Sequence, residues 1–93
     1  MPYIGTAERQ LLDPSIEAVS IRIAKVHTAR PGDMNYAISQ LIRKVYGEKL
    51  KYHDYNEIIG ILECCKEEFY RSRVAVYEEK KKILNGDLYL DKP

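Results

Sequence analysis

The sequence predicts an all-α fold, a three-helix bundle with a long C-terminal third helix. Three observations indicate it: apolar residues repeat at spacings of three and four, no stretch alternates as a strand would, and turn signals separate the helical segments. We expect residues 1–93 to form a single helical domain, because 93 residues fit one small domain. A chain of this size buries roughly 60–65% of its unfolded surface, so a second subunit is a natural source of extra core.

The N-terminal residues 1–13 show no sustained period, which predicts an irregular arm. The first helix is predicted over residues 14–28, because Asp13 suits the N-cap and Pro14 the first turn. Its apolar face is marked by four residues at helical spacing: Ile16, Val19, Ile23 and Val26. The following "ARPGD" predicts a break, since a residue before proline avoids the helical conformation.

Two further helices are predicted over residues 34–46 and 54–84, followed by a tail over residues 85–93. Gly47 ends the second helix, and Asn85-Gly86 is a strong stop for the third, because glycine adopts the left-handed cap without strain. The core face of the third helix is expected to follow a heptad: Tyr55, Ile58, Leu62, Cys65, Phe69, Ser72, Val76, Glu79 and Ile83.

The third helix is too long for its two companions to shield. About 30 helical residues span roughly 45 Å, whereas each of the first two helices spans only about 20 Å. A lone helical extension of about 15 residues is marginal in water. The arm, the tail, a bend or another copy could cover the distal half, and we favour a homodimer.

Composition narrows the classes of function. The 15 Lys and Arg nearly balance the 14 Asp and Glu, so nucleic-acid binding is disfavoured. The adjacent Cys64 and Cys65 do not form a disulfide framework, which indicates a reducing compartment. No apolar run approaches the length of a membrane span, and the first ten residues lack the features of a signal peptide. We therefore expect a cytoplasmic protein without a membrane partner.

The third helix carries the residues that we consider most capable of binding. Arg73 lies near the core line, so we expect it to be partly buried and to need polar partners. If helix two packs antiparallel to helix three, Asn35, Arg73 and Tyr77 meet in a polar cluster that fixes register, with an anion site as the alternative. The candidate interaction residues are Asn35, Tyr36, Tyr70, Arg71, Arg73, Tyr77 and Glu78.

We predict a non-enzymatic protein-interaction or assembly module that acts as a homo-oligomer, with an unknown protein partner as a further option. No cofactor, metal or catalytic residue is assigned. The alternative is an enzyme similar to metal-dependent nucleotide pyrophosphohydrolases, with Glu63, Glu67 and Glu78 as magnesium ligands. Such sites need acids on facing helices, and helix two carries none between Met34 and Tyr46.

Two stretches carry a family resemblance: "GDMNYAISQLIRKVY" over Gly32–Tyr46 and "IGILECCKEEFYRSRVAVYEEKKKILNGDLY" over Ile59–Tyr89. They resemble a family of short all-helical proteins of uncharacterised function that occur in bacterial, archaeal and phage genomes. The resemblance covers roughly residues 30–89. It implies the helical fold and assigns no catalytic role.

Overall fold

A computed structural model describes residues 2–89 of the chain, which form helices and no strand. Helix α1 spans Thr6–Ala24 and helix α2 spans Arg30–Tyr46. The third helix runs for 34 residues, from residue 52 to residue 85. The predicted all-α class, with three helices and a long third one, is therefore confirmed. No helix in residues 2–89 combines the length and apolar character that crossing a membrane requires.

Helix α1 begins eight residues earlier than predicted, so most of the expected irregular arm is helical. Gly5 is the N-cap, and the backbone N–H of Arg9 donates to its carbonyl at 3.0 Å. Pro14 consequently lies inside α1 rather than in its first turn. The prediction was wrong because residues 6–12 include several strong helix formers, whose preference outweighs the start signal at Asp13 and Pro14.

The break between α1 and α2 lies earlier than predicted, over residues 25–29 instead of 29–33, because α1 ends four residues before the expected residue 28. A single 3₁₀ turn, His27–Ala29, follows the end of α1 at Ala24, and α2 begins directly at Arg30. Pro31 lies in the first turn of α2, where a proline needs no N–H partner, and Asp33 favours the positive end of the helix dipole. The "ARPGD" stretch thus starts a helix four residues before the predicted Met34.

One backbone and one side-chain hydrogen bond stabilise the connection between α2 and the third helix. Gly47 ends α2 with a φ of +80°, and its N–H donates to the Arg43 carbonyl at 2.8 Å. The Tyr46 hydroxyl donates to the Glu57 carboxylate at 2.5 Å. The next residue, Ile58, is 9% exposed and is the only buried apolar side chain among residues 2–89.

The third helix consists of three consecutive parts. Helix α3 spans Tyr52–Phe69, a π-helical segment spans Tyr70–Val74, and helix α4 spans Ala75–Asn85. At the end of the π segment the Ala75 N–H donates to the Tyr70 carbonyl, five residues back. Gly86 ends α4 with a φ of +91°, as the sequence predicted.

The chain divides into two units, Met1–Ile58 and Ile59–Pro93. The first contains α1, α2 and the buried Ile58. In the part of the second that the structure describes, residues 59–89, no side chain is fully buried, and the half-buried residues are Glu68, Val74, Ala75 and Asp87. The assignment of the whole chain to one domain stays a prediction.

Candidate interaction surface on the third helix

Five of the seven candidate residues lie in or next to the π segment. Tyr70, Arg71 and Arg73 belong to the segment itself, and Tyr77 and Glu78 lie in the first turn of α4. All five are exposed. π-Turns inside α-helices occur frequently at functional sites.

Tyr70 and Glu78 form a hydrogen bond that spans the π segment. The Tyr70 hydroxyl donates to the Glu78 carboxylate at 2.8 Å, although the residues are eight positions apart. This hydrogen bond raises the pKa of the Tyr70 phenol, because ionising the phenol would remove the donor beside a negative charge. The charge of Glu78 and partial desolvation act in the same direction.

Glu68 is the second organising residue. Its half-buried carboxylate accepts a hydrogen bond at 2.5 Å from the Arg71 guanidinium and another at 2.8 Å from the Ser72 hydroxyl. The last α-helical turn before the π segment is therefore linked to the segment itself. Sequence reasoning did not select Glu68, although its spacing of three and four from these partners is a recognisable helix-surface signal.

Arg73 differs from the sequence-based interpretation. It is exposed, not partly buried, and within residues 2–89 its guanidinium has no hydrogen bond or ion pair. Tyr77 is also exposed, and the Lys81 ammonium lies 5.7 Å from the centre of its ring. That distance allows a weak cation–π attraction. Arg73 is thus a solvated charge between two exposed aromatic positions.

A shallow depression of about 310 Å³ lies on this part of the chain. Its lining combines acidic, basic and phenolic groups: Glu63, Lys66, Glu67, Tyr70 and Arg71. The Lys66 ammonium lies 3.3 Å from the Glu63 carboxylate, and Arg71 contacts Glu68. Lys66 thus pairs with a carboxylate inside the depression and Arg71 with one beside it, an arrangement typical of a helix surface.

The acidic residues do not assemble a metal centre in the region that the structure covers. Residues 2–89 contain no group of three or more His, Cys, Asp or Glu side chains able to hold a metal ion. Glu63, Glu67 and Glu78 accordingly do not form such a group with one another. The pyrophosphohydrolase alternative stays an untested prediction.

The two remaining candidates, Asn35 and Tyr36, lie on α2 in the first unit. Both are exposed, and the Tyr36 hydroxyl accepts a hydrogen bond from the Gln40 amide at 2.9 Å. The proposed cluster of Asn35 with Arg73 and Tyr77 joins residues of different units. It stays a prediction, for which Arg73→Leu with melting and oligomeric state as readouts is the test.

The Tyr70–Glu78 hydrogen bond gives a pH-dependent expectation. Because the folded-state pKa of Tyr70 lies above the ordinary value of 10.0, the stabilisation is fully present below about pH 10. It is lost as the pH rises through the folded-state pKa. In a phenolate absorbance titration, subtracting the curve of Tyr70→Phe from that of the wild type isolates the ionisation of Tyr70, and its midpoint should lie above pH 10. When both proteins also carry Glu78→Gln, the midpoint of the same difference curve should move towards the ordinary value. An identical difference curve with and without Glu78→Gln would contradict the assignment.

The family model described as "Domain of unknown function (DUF6899)" matches residues 1–88. The match includes the N-terminal 30 residues, which the sequence resemblance did not cover. No curated protein and no solved structure matches the chain.

Proposed function

The chain belongs to the DUF6899 family, a family of domains of unknown function, and we propose that it is a non-enzymatic assembly module. It acts as a homodimer in this proposal. The observation that carries this proposal is the lack of burial within a single chain. Ile58 is the only buried apolar side chain in residues 2–89, while 26 large apolar or aromatic side chains in the same range are exposed.

The energetic argument follows from that imbalance. Fully burying a large apolar side chain contributes about 1.5–3 kcal/mol, whereas ordering each residue costs about 1–2 kcal/mol of backbone entropy. One buried isoleucine cannot offset the ordering of three helices. Association that buries more of these side chains would supply the missing stabilisation, and for obligate dimers folding and association are inseparable.

We place the main contact on the third helix in the second unit. Its exposed apolar and aromatic side chains are rich in the residue types that interfaces favour: Phe69, Tyr70, Tyr77 and Leu84. The polar groups between them are largely paired along the helix, as Tyr70 with Glu78 and Arg71 with Glu68 show. Such pairing supports a role in packing and register rather than in chemistry.

A cytoplasmic location is part of the same proposal. Cys64 and Cys65 are both free and exposed, and exposed thiols persist most readily in a reducing compartment. The near-neutral charge of the chain, +1 at pH 7, supports a protein surface as the partner rather than nucleic acid.

Solution mass tests the proposal. Light scattering over a wide range of protein concentration should give about twice 10.8 kDa at the upper end, with helical content falling as the dimer dissociates. The physical reason is that the helices lose their cover together with the partner. A mass of 10.8 kDa at every concentration, with helical content unchanged, would refute the homodimer.

A further inference from the structure

The π segment changes which side chains of α4 line up with those of α3. A hydrogen bond to the fifth preceding residue, as between Ala75 and Tyr70, replaces the usual bond to the fourth. The segment therefore acts as a one-residue insertion. Each later side chain takes the direction that its predecessor would have had in an unbroken α-helix. Tyr77 therefore points to the same side of the helix as Phe69, where an unbroken helix would have Val76. Leu84 likewise takes the direction that Ile83 would have had.

The Tyr70–Glu78 hydrogen bond is independent support for this rotation. In an unbroken α-helix, residues eight apart point about 80° away from each other. The insertion removes most of that angle and places both side chains on one side, where their polar atoms are 2.8 Å apart. The heptad expected from the sequence therefore holds only up to Phe69.

The rotated face is nearly symmetrical along its length. On the 100° step with the insertion, one line contains Leu62, Cys65, Phe69, Arg73, Tyr77, Lys81 and Leu84. Phe69 and Tyr77 each lie four residues from Arg73 (73 − 69 and 77 − 73). Leu62 and Leu84 each lie eleven residues from it (73 − 62 and 84 − 73). A helix with this pattern matches itself when a second copy runs in the opposite direction.

The charges along the helix favour the same orientation. Residues 59–70 contain three glutamates and one lysine, a net charge of −2, and residues 71–85 contain five cations and two glutamates, a net charge of +3. Antiparallel pairing brings each half against the opposite charge, while parallel pairing aligns like charges. At the flanks, Lys66 would face the partner's Glu78, and Glu68 would face the partner's Lys80.

We propose that the occupant of this face is a second copy of the chain, whose third helix packs antiparallel with the two-fold axis near Arg73. This inference rests on the proposed homodimer and names its geometry. Leu62 then packs on the partner's Leu84, and Phe69 on the partner's Tyr77, as the self-complementary contact of a two-fold dimer requires. The Arg73 stem lies along the face and its guanidinium reaches solvent.

The area available fits a dimer of modest affinity. Phe69 and Tyr77 are 63% and 61% exposed, and covering both rings removes roughly 200–250 Å² from water in each copy. With the leucines, the cysteine and the lysine stems, each copy buries roughly 500 Å², or about 1,000 Å² in total, at the low end for specific interfaces. A concentration-dependent dimer is the expected behaviour.

A pair of adjacent substitutions tests which face is used. Tyr77→Glu places a charge within the contact and should shift the light-scattering mass to the monomer at concentrations where the wild type is dimeric. Val76→Glu adds the same charge one position away, off the face, and should leave the dimer intact. If Val76→Glu dissociated the dimer and Tyr77→Glu did not, the contact face would follow the unbroken heptad. That result would overturn this inference but would still agree with a homodimer. A wild type that is always monomeric would instead refute the homodimer itself.

Cysteine cross-linking tests the direction of the partner. In a Cys64→Ala, Cys65→Ala background that remains dimeric, Arg73→Cys should give a covalent dimer under mild oxidation, because its thiols meet near the axis. Leu84→Cys should not cross-link, since its thiols lie at opposite ends. Efficient cross-linking through Leu84→Cys would indicate that the two helices run parallel. If neither variant formed cross-links, the two-fold axis would not lie near Arg73. Either result overturns the proposed geometry.

Discussion

Replacing Pro14 with alanine is expected to increase the free energy of unfolding of α1 by about 3 kcal/mol. Pro14 lies inside α1, where it has no N–H to donate to the carbonyl four residues earlier, that of Gln10. Its ring also crowds that carbonyl. Alanine restores the hydrogen bond and has the highest helix propensity, so both effects act in the same direction.

Pro31→Ala is the matched control, because Pro31 lies in the first turn of α2, where proline is tolerated. This variant should change stability by less than about 1 kcal/mol. Amide hydrogen exchange in residues 6–24 is the most direct measurement for Pro14→Ala, with urea unfolding followed by circular dichroism as the global readout. Equal, small effects of both substitutions would show that α1 begins near Pro14 instead of at Thr6.

The helical class was predictable from the sequence because it depends on periodicity, which a chain of this composition displays clearly. The start of α1 was not, because the same Asp13-Pro14 pair serves as a helix start or lies within a helix, depending on the residues before it. The Gly86 stop was predictable since few residues other than glycine adopt a φ of +91° without strain.

The π segment explains why the candidate surface was only partly predictable. The stretch Tyr70–Val74 contains neither glycine nor proline, and nothing in "YRSRV" indicates an additional residue in the turn. A uniform heptad therefore placed Val76 and Ile83 on the core line. Tyr70, Arg71 and Tyr77 were selected for their residue types, but Arg73 was assigned a partly buried position, whereas it is exposed in the single chain.

The arrangement of polar pairs connects the segment to stability. Glu68 is linked to Arg71 and Ser72 on the N-terminal side, and Tyr70 is linked to Glu78 across the segment. All of these groups are exposed or half-buried, so each contributes little by itself. Together they connect the residues on both sides of the π segment, whose extra residue sets the face that α4 presents.

Truncating Ile58 to alanine is expected to cost about 2–4 kcal/mol of the free energy of unfolding. Ile58 is 9% exposed and is the only buried apolar side chain in residues 2–89, so its removal leaves a cavity that no neighbouring core compensates. It directly follows Glu57, whose carboxylate accepts the Tyr46 hydrogen bond that joins α2 to the third helix. The loss should therefore also loosen the end of α2.

Ile59→Ala is the matched control, because the neighbouring isoleucine is 66% exposed on the same helix. Its substitution should change stability by no more than about 0.5 kcal/mol, since alanine is also the better helix former. The two variants should be compared by urea unfolding at the same protein concentration, because the stability of a dimer depends on concentration. If both variants lost the same stability, the exposed face at Ile59 would be buried by the partner as deeply as Ile58 is by its own chain. The contact between copies would then extend beyond the line that runs from Leu62 to Leu84.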